Sequence, residues 1–449
     1  MLRSMRPALI PCLVVVAFSS GVSSGLGQLI DVDRDTIIDA TNSQPTVGVR
    51  VLDRVGGPSL VTVVYGGAVA TDTGTTSQVF GSSTLSLDGG TVGGPIEVHA
   101  NGKLLISEGT ITTDHFALPR IPLILARDDA QVSVRGGYLR AWIDHTIVAR
   151  GRSQVSIEAG EIQSKDWLTL LIDESSVVNI YGGTIFGGED DGIATVTGNG
   201  TLNIHGGSLL YNDDDGSIVF AEGSGVVNIL GGKIEGDSDQ TEIRLSDQAV
   251  ANIYGYGLTQ AGGELSGLLL DANRLRLDFE VRDNAELHLH EMTTPEQPGD
   301  LNQNMQIDSG DIDLIGAAIR HNVWADPLDM DEDGVVGPND FDVLLKNILQ
   351  VWRGDSNLDG EFNSSDLVDV FKAGEYDDAL RDNSGWADGD WDGDGDFLSG
   401  DLVVAFQEGG YEQGPREQLV TVPEPAGILL IFPVTVGLLL VPRTRRKLV

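Results

Sequence analysis

A short unit recurs through the middle of this chain: an alternating run, two small residues, then a return to apolar residues. It reads Val63-Val64-Tyr65-Gly66-Gly67, Leu85-Ser86-Leu87-Asp88-Gly89-Gly90, Val132-Ser133-Val134-Arg135-Gly136-Gly137 and Val178-Asn179-Ile180-Tyr181-Gly182-Gly183. It continues as Leu202-Asn203-Ile204-His205-Gly206-Gly207 and Val227-Asn228-Ile229-Leu230-Gly231-Gly232, with weaker copies ending at Gly109, Gly160 and Tyr256. From Gly137 onward the ends of successive copies lie 23 to 25 residues apart. A fixed period of this length with alternation inside each copy predicts a coil of short strands, one turn per copy. The Val, Ile and Leu positions would point inward and stack on the same positions of the next turn. The Gly-Gly pair permits a corner that a Cβ would obstruct. Asn179, Asn203, Asn228 and Asn252 recur at one place, which predicts an outward or side-chain-bonded ladder. Alternation alone does not fix how strands pair, so a β-sandwich is the competing arrangement.

The pattern resembles right-handed parallel β-helices of bacterial adhesin, passenger-domain and pectate-lyase type, over about residues 59–292. The expected fold is mainly β: a single-stranded right-handed parallel β-helix followed by a small α-helical module. Trp142-Ile143-Asp144-His145 is similar to the W-I-D-H string of pectate lyases, and that resemblance implies polysaccharide lyase chemistry. Such chemistry also needs an arginine near the base, and no R-x-P-x-x-R element follows. The bland reading is a strand whose Trp and Ile pack while Asp and His face water. His205, His288 and His290 read as surface strand residues, because no pair has metal spacing with a third donor.

Beyond the turn-rich link at 293–299 the composition changes. Residues 300–414 carry 28 Asp and Glu against 5 Lys and Arg, over half of the chain's formal charge of −40. Four twelve-residue windows there follow one spacing. Loop one sets Asp300, Asn302, Asn304, Asp308 and Asp311 at positions 1, 3, 5, 9 and 12. Loop two sets Asp329, Asp331, Asp333 and Asp340 at 1, 3, 5 and 12, with Gly334 at 6 and Gly337 at 9. Loop three has Asp355, Asn357, Asp359, Asn363 and Asp366 at 1, 3, 5, 9 and 12, and Gly360 at 6. Loop four has Asp390, Asp392, Asp394 and Asp401, with Gly395 at 6 and Leu398 at 9.

Calcium takes six to eight hard oxygen ligands in a flexible shell, and this spacing wraps oxygens around one ion. Position 7 would add the carbonyls of Gln306, Val335, Glu361 and Asp396. Position 8 is apolar each time (Ile307, Val336, Phe362, Phe397), as a loop pinned to a following helix requires. The expected cofactor is therefore Ca2+. Aspartate at position 12 and the absence of clear entering helices before loops three and four resemble type I dockerin repeats, related to EF-hands. That resemblance implies a cohesin-like partner domain, met by positions 10 and 11, such as Ser364 and Ser365.

The two ends read as targeting segments. Arg3 and Arg6, an apolar Ala8–Phe18 run and small residues to Gly27 predict a signal peptide over 1–27. Its Cys12 is the only cysteine, so the mature chain would hold no disulfide, thiolate metal site or cysteine nucleophile. Val422-Pro423-Glu424-Pro425, an apolar run to Val441 and the basic Arg443–Lys447 end are similar to the PEP-CTERM sorting signal. That resemblance implies an exosortase-type protease, with the C-terminal span (415–449) anchoring the chain in the membrane before release. Residues 28–58 would cap the solenoid. So acidic a chain argues against nucleic acid as a partner. The function expected is an exported surface or extracellular-matrix protein, non-catalytic and calcium-binding, in adhesion, scaffolding or polysaccharide association. The alternative is a secreted polysaccharide lyase or hydrolase carrying a dockerin-like attachment module.

Overall fold

The computed structural model describes residues 29–416, apart from 45–46, 55–56, 71–75, 114–120, 143, 190–191, 212–215 and 237–240. The stretch expected to be a signal peptide, with Cys12, and the stretch from 417 onward expected to be a sorting tail lie outside the described residues. The chain is mainly β, a solenoid of about eight turns, with short helices confined to the C-terminal region.

Each central turn is built from three short strands. One turn contains Leu170–Ile172, Val177–Ile180 and Thr184–Phe186; the next contains Ala194–Val196, Thr201–Ile204 and Ser208–Leu210. Corresponding strands pair in parallel and in register: Val178 with Leu202, Ile180 with Ile204, Ile185 with Leu209. Alternation then places Val178, Leu202 and Val227 in one buried column, and Ile180, Ile204 and Ile229 in another, each at most 1% exposed. This answers the pairing question in favour of the coil. Parallel pairing already joins Leu29–Val32 to Gly48–Val51, so the stretch read as a cap carries strands of the same stack.

The Gly-Gly corner has two separate causes. Gly207 takes φ +86°, the left-handed region where a side chain is strained. A Cβ on Gly206 would stand 2.7 Å from the carbonyl oxygen of Tyr181, one turn below. The opposite corner is a column of left-handed residues, including Ala100, Asp128, Glu174 and Asp247. Carboxylates there cap the turn beneath: Asp128 accepts from the Ala100 amide at 3.1 Å, and Glu174 from the Gly151 amide at 2.9 Å.

The asparagine ladder is hydrogen-bonded as expected. Asn203 Nδ2 donates to Asn179 Oδ1 (2.8 Å), Asn228 to Asn203 (2.7 Å) and Asn252 to Asn228 (2.8 Å). His290 Nε2 closes it against Asn252 Oδ1 at 3.1 Å.

After Val250–Ala261 the coil is interrupted. Glu264–Leu269 runs antiparallel both to that strand and to Arg274–Val281 before the last parallel strand, Glu286–Glu291. This hairpin places Tyr256 and Leu268 in a second buried cluster with Leu301, Ile312 and Ile315. Four helices share that cluster: α1 (Ser309–His321), α2 (Pro338–Val343, continuing as a π-turn Leu344–Leu349), α3 (Ser364–Ala373) and α4 (Ser399–Glu408). Trp386, Trp391, Phe362 and Phe397 form its aromatic centre.

Candidate metal-ligating loops

All four aspartate-rich windows fold alike, each leading into one helix. The position-1 carboxylate turns inward and accepts backbone amides. In loop two, Asp329 Oδ1 takes the Asp333 amide (3.0 Å) and Oδ2 the Gly334 amide (2.8 Å). Loop three repeats this, with Asp355 accepting from Asp359 (3.1 Å) and Gly360 (2.9 Å). In loop one Asp300 accepts from Asn304 and Met305, both at 2.9 Å. Loop four differs by one residue, since Asp390 accepts from Gly393 and Gly395, both at 2.8 Å. Positions 3 and 5 then accept from amides two residues on, as Asn357 does from Asp359 (2.9 Å) and Asp359 from Glu361 (3.0 Å). Such Asx turns follow from short side chains that reach their own backbone.

Position 12 closes each loop. Asp311, Asp340, Asp366 and Asp401 are all fully buried. Each sits in its helix's first turn and accepts two sets of amides: Asp401 from Asp392 (3.0 Å) and Leu398 (2.8 Å), for example. Position 9 caps the helix where its side chain can: Asp308 accepts from Gly310 (3.0 Å) and Asn363 from Ser365 (2.8 Å). Gly337 and Leu398 offer no such cap.

The hinge at position 6 is left-handed throughout: φ is +89° at Gly334, +93° at Gly360 and +95° at Gly395. Loop one adopts the same turn with Met305 at φ +71°, a conformation costly for a side chain.

This packing brings like charges together. Single oxygens of Asp329, Asp331 and Asp333 lie within 4.8 Å of one another, as do those of Asp390, Asp392 and Asp401. Burial pushes Asp355 up to about 7, with Asp366 and Asp359 adding repulsion. Burial likewise raises Asp390 to about 7, and Asp311 and Asp401 to about 6. Burial and mutual repulsion together disfavour the charged form of these carboxylates.

The loops are also tied to each other by residues that spacing did not single out. Trp386 Nε1 donates to the carbonyl of Asp355 (2.7 Å), and Arg353 Nη1 to that of Trp391 (2.7 Å). Arg320, at the end of α1, donates to Gly393 O (3.0 Å) and lies 3.5 Å from Asp390 Oδ2. An arginine or tryptophan at helical spacing carries no mark of such a long-range contact.

The W-I-D-H string sits elsewhere, on the central turns. Trp142 is flanked by Arg140 at 4.5 Å and Lys165 at 5.1 Å from its ring. Ile143 lies outside the described residues. Asp144 accepts from the His145 amide (2.7 Å), and Trp167 meets the His145 ring edge-on at 6.1 Å. The Asp144 and His145 side chains are 13% and 21% exposed, so the expectation that both face water is corrected. His288 and His290 are exposed strand residues, whereas His205 is half-buried and stacked on Tyr181 at 4.7 Å.

No family model, curated protein or solved structure matches this chain.

Proposed function

We propose that residues 300–401 form a calcium-organised module, joined to a solenoid that serves as a rigid spacer or adhesive rod. The observation that carries this is the fourfold repetition of one oxygen-only nest, with buried carboxylates gathered at the same positions. The donor set suits a hard cation: carboxylate and amide oxygens at positions 1, 3, 5 and 12, plus a backbone carbonyl at 7, with no nitrogen or sulfur. Asp300, Asp329, Asp355 and Asp390 would anchor the four ions, and Asp311, Asp340, Asp366 and Asp401 would complete each shell. Bound Ca2+ would supply the positive charge that clustered aspartates lack.

The protein acts outside the cell, at the surface or in the extracellular matrix, and is non-catalytic. The signal peptide, the C-terminal span and its exosortase-type protease account for export, temporary membrane anchoring and release. The helical module is the docking element for a cohesin-like domain. Exposed apolar residues at equivalent places on two helices favour that: Val368 and Phe371 on α3, Val403 and Phe406 on α4, each about half exposed. The solenoid associates with polysaccharide. At the lyase-like string, Arg140 and Lys165 close on Trp142 and Asp144 holds a backbone amide, which favours packing over catalysis.

The experiment is thermal unfolding of the mature protein in calcium and in chelator. A cation that binds only the folded form raises Tm with its concentration. Calcium should raise Tm by several degrees and magnesium by less; equal Tm in millimolar calcium and in chelator would overturn the reading.

A further inference from the structure

The interrupted coil and loop one border an open cleft of about 480 Å³. Its solenoid wall is His205, Leu230, Leu270 and Asp271; its other wall comes from loop one and α1, including Asp308 and Asp313. The hairpin creates this wall, since the Leu270 amide donates to the Leu230 carbonyl at 2.8 Å and lays the hairpin end across the turn.

Three features define what would fit. The first is an apolar floor, Leu230 and Leu270. Next to the cleft's His205, Tyr181 is 52% exposed and stacks on that imidazole, 14° from parallel. A flat ring beside an apolar floor suits the C–H face of a sugar. The second is charge. Asp271, Asp308 and Asp313 line the cleft, and among the described residues no Lys or Arg does. Burial lowers the pKa of His205 and so disfavours its charged form. Arg320, whose charge acts on Asp313, is held by Gly393 and Asp390. The third is acceptor capacity. Asp308 and Asp313 each use Oδ1 for a backbone amide, from Gly310 and Trp386 respectively. Their Oδ2 atoms accept no hydrogen bond among the described residues and are left as acceptors for hydroxyl or ammonium donors.

We infer that this cleft binds a glycan segment bearing protonated amines, an amino-sugar polymer rather than a uronate. The inference rests on the polysaccharide-associating reading above and names its ligand class and site. An acidic cleft repels uronates and attracts ammonium groups, and at this size it takes a few sugar rings rather than a long chain.

The test titrates the mature protein, in calcium and about 0.15 M salt to screen the loose attraction of any polycation, with three probes. These are a glucosamine hexamer, its N-acetylated counterpart and an oligogalacturonate. The inference expects the glucosamine hexamer to bind most tightly. Leu230→Arg should weaken it at least tenfold and Asp271→Asn severalfold. Asp283→Asn, the same charge change on a solenoid corner, should leave it unchanged. Circular dichroism and Tm confirm that each variant folds; Tyr181→Ala, on an exposed side chain, gives a second blocking variant. Equal weakening by Asp283→Asn, or no effect of the cleft variants, would overturn the site. Tighter binding of the N-acetylated or uronate probe would overturn the amine chemistry while leaving polysaccharide association standing. Binding of no glycan would remove both.

Discussion

The phenol of Tyr256 donates a 2.6 Å hydrogen bond to the carbonyl of Leu301, the second residue of loop one. Tyr256 lies on the last long solenoid strand and is fully buried. Burial and nearby carboxylates raise its pKa, so it stays a protonated donor. The solenoid and the helical region therefore share one buried contact cluster, and loop one is built partly on the strand before it.

Tyr256→Phe keeps the ring and orphans the Leu301 carbonyl. A buried acceptor left unpaired costs about 1–3 kcal/mol. Denaturant unfolding should show that loss, and amide exchange should quicken in both Val250–Ala261 and loop one. Faster exchange in the loop alone would mean that the two regions are not coupled here.

Met305 offers a gain instead. Its left-handed φ costs on the order of 1 kcal/mol for a residue with a side chain, and the side chain is 85% exposed. Met305→Gly should raise stability by up to about 1 kcal/mol and tighten loop one for calcium. A lower Tm in the variant would show that the Met305 side chain stabilises the loop in some other way.

In the ladder, Asn203 both donates and accepts. Asn203→Ala should cost about 1 kcal/mol, near the low end for a buried bond because the site is half-exposed. Asn252→Ala should also release His290 from the last rung. Its imidazole line width and shift in a proton NMR spectrum report that release directly, and an unchanged signal would contradict the ladder's end.

The solenoid was legible because each turn repeats its inward residues, so Val178, Leu202 and Val227 mark one column by their spacing alone. The second corner was not, because the left-handed position accepts Ala100, Asp128, Gly151 and Glu174 alike. Glycine recurs there at Gly151, Gly198 and Gly223 and aspartate at Asp128 and Asp247, but no one letter fills every turn even though the backbone conformation repeats. The Glu264–Leu269 hairpin was missed for the opposite reason: it breaks the period, stretching one repeat by about a dozen residues. Gly262-Gly263 between two alternating runs was the available signal. In the acidic region, side-chain spacing revealed each loop's internal bonds. Contacts between loops, such as Trp386 with Asp355, depend on packing across 31 residues and leave no local pattern.

The calcium account is tested most directly by counting ions. Native mass spectrometry of the mature protein, exchanged into millimolar calcium, should show up to four added calcium masses per chain. Asp355→Ala should remove one, because it deletes the position-1 anchor of loop three alone. A chain that carries no calcium under these conditions, with the variant indistinguishable from it, would contradict the account.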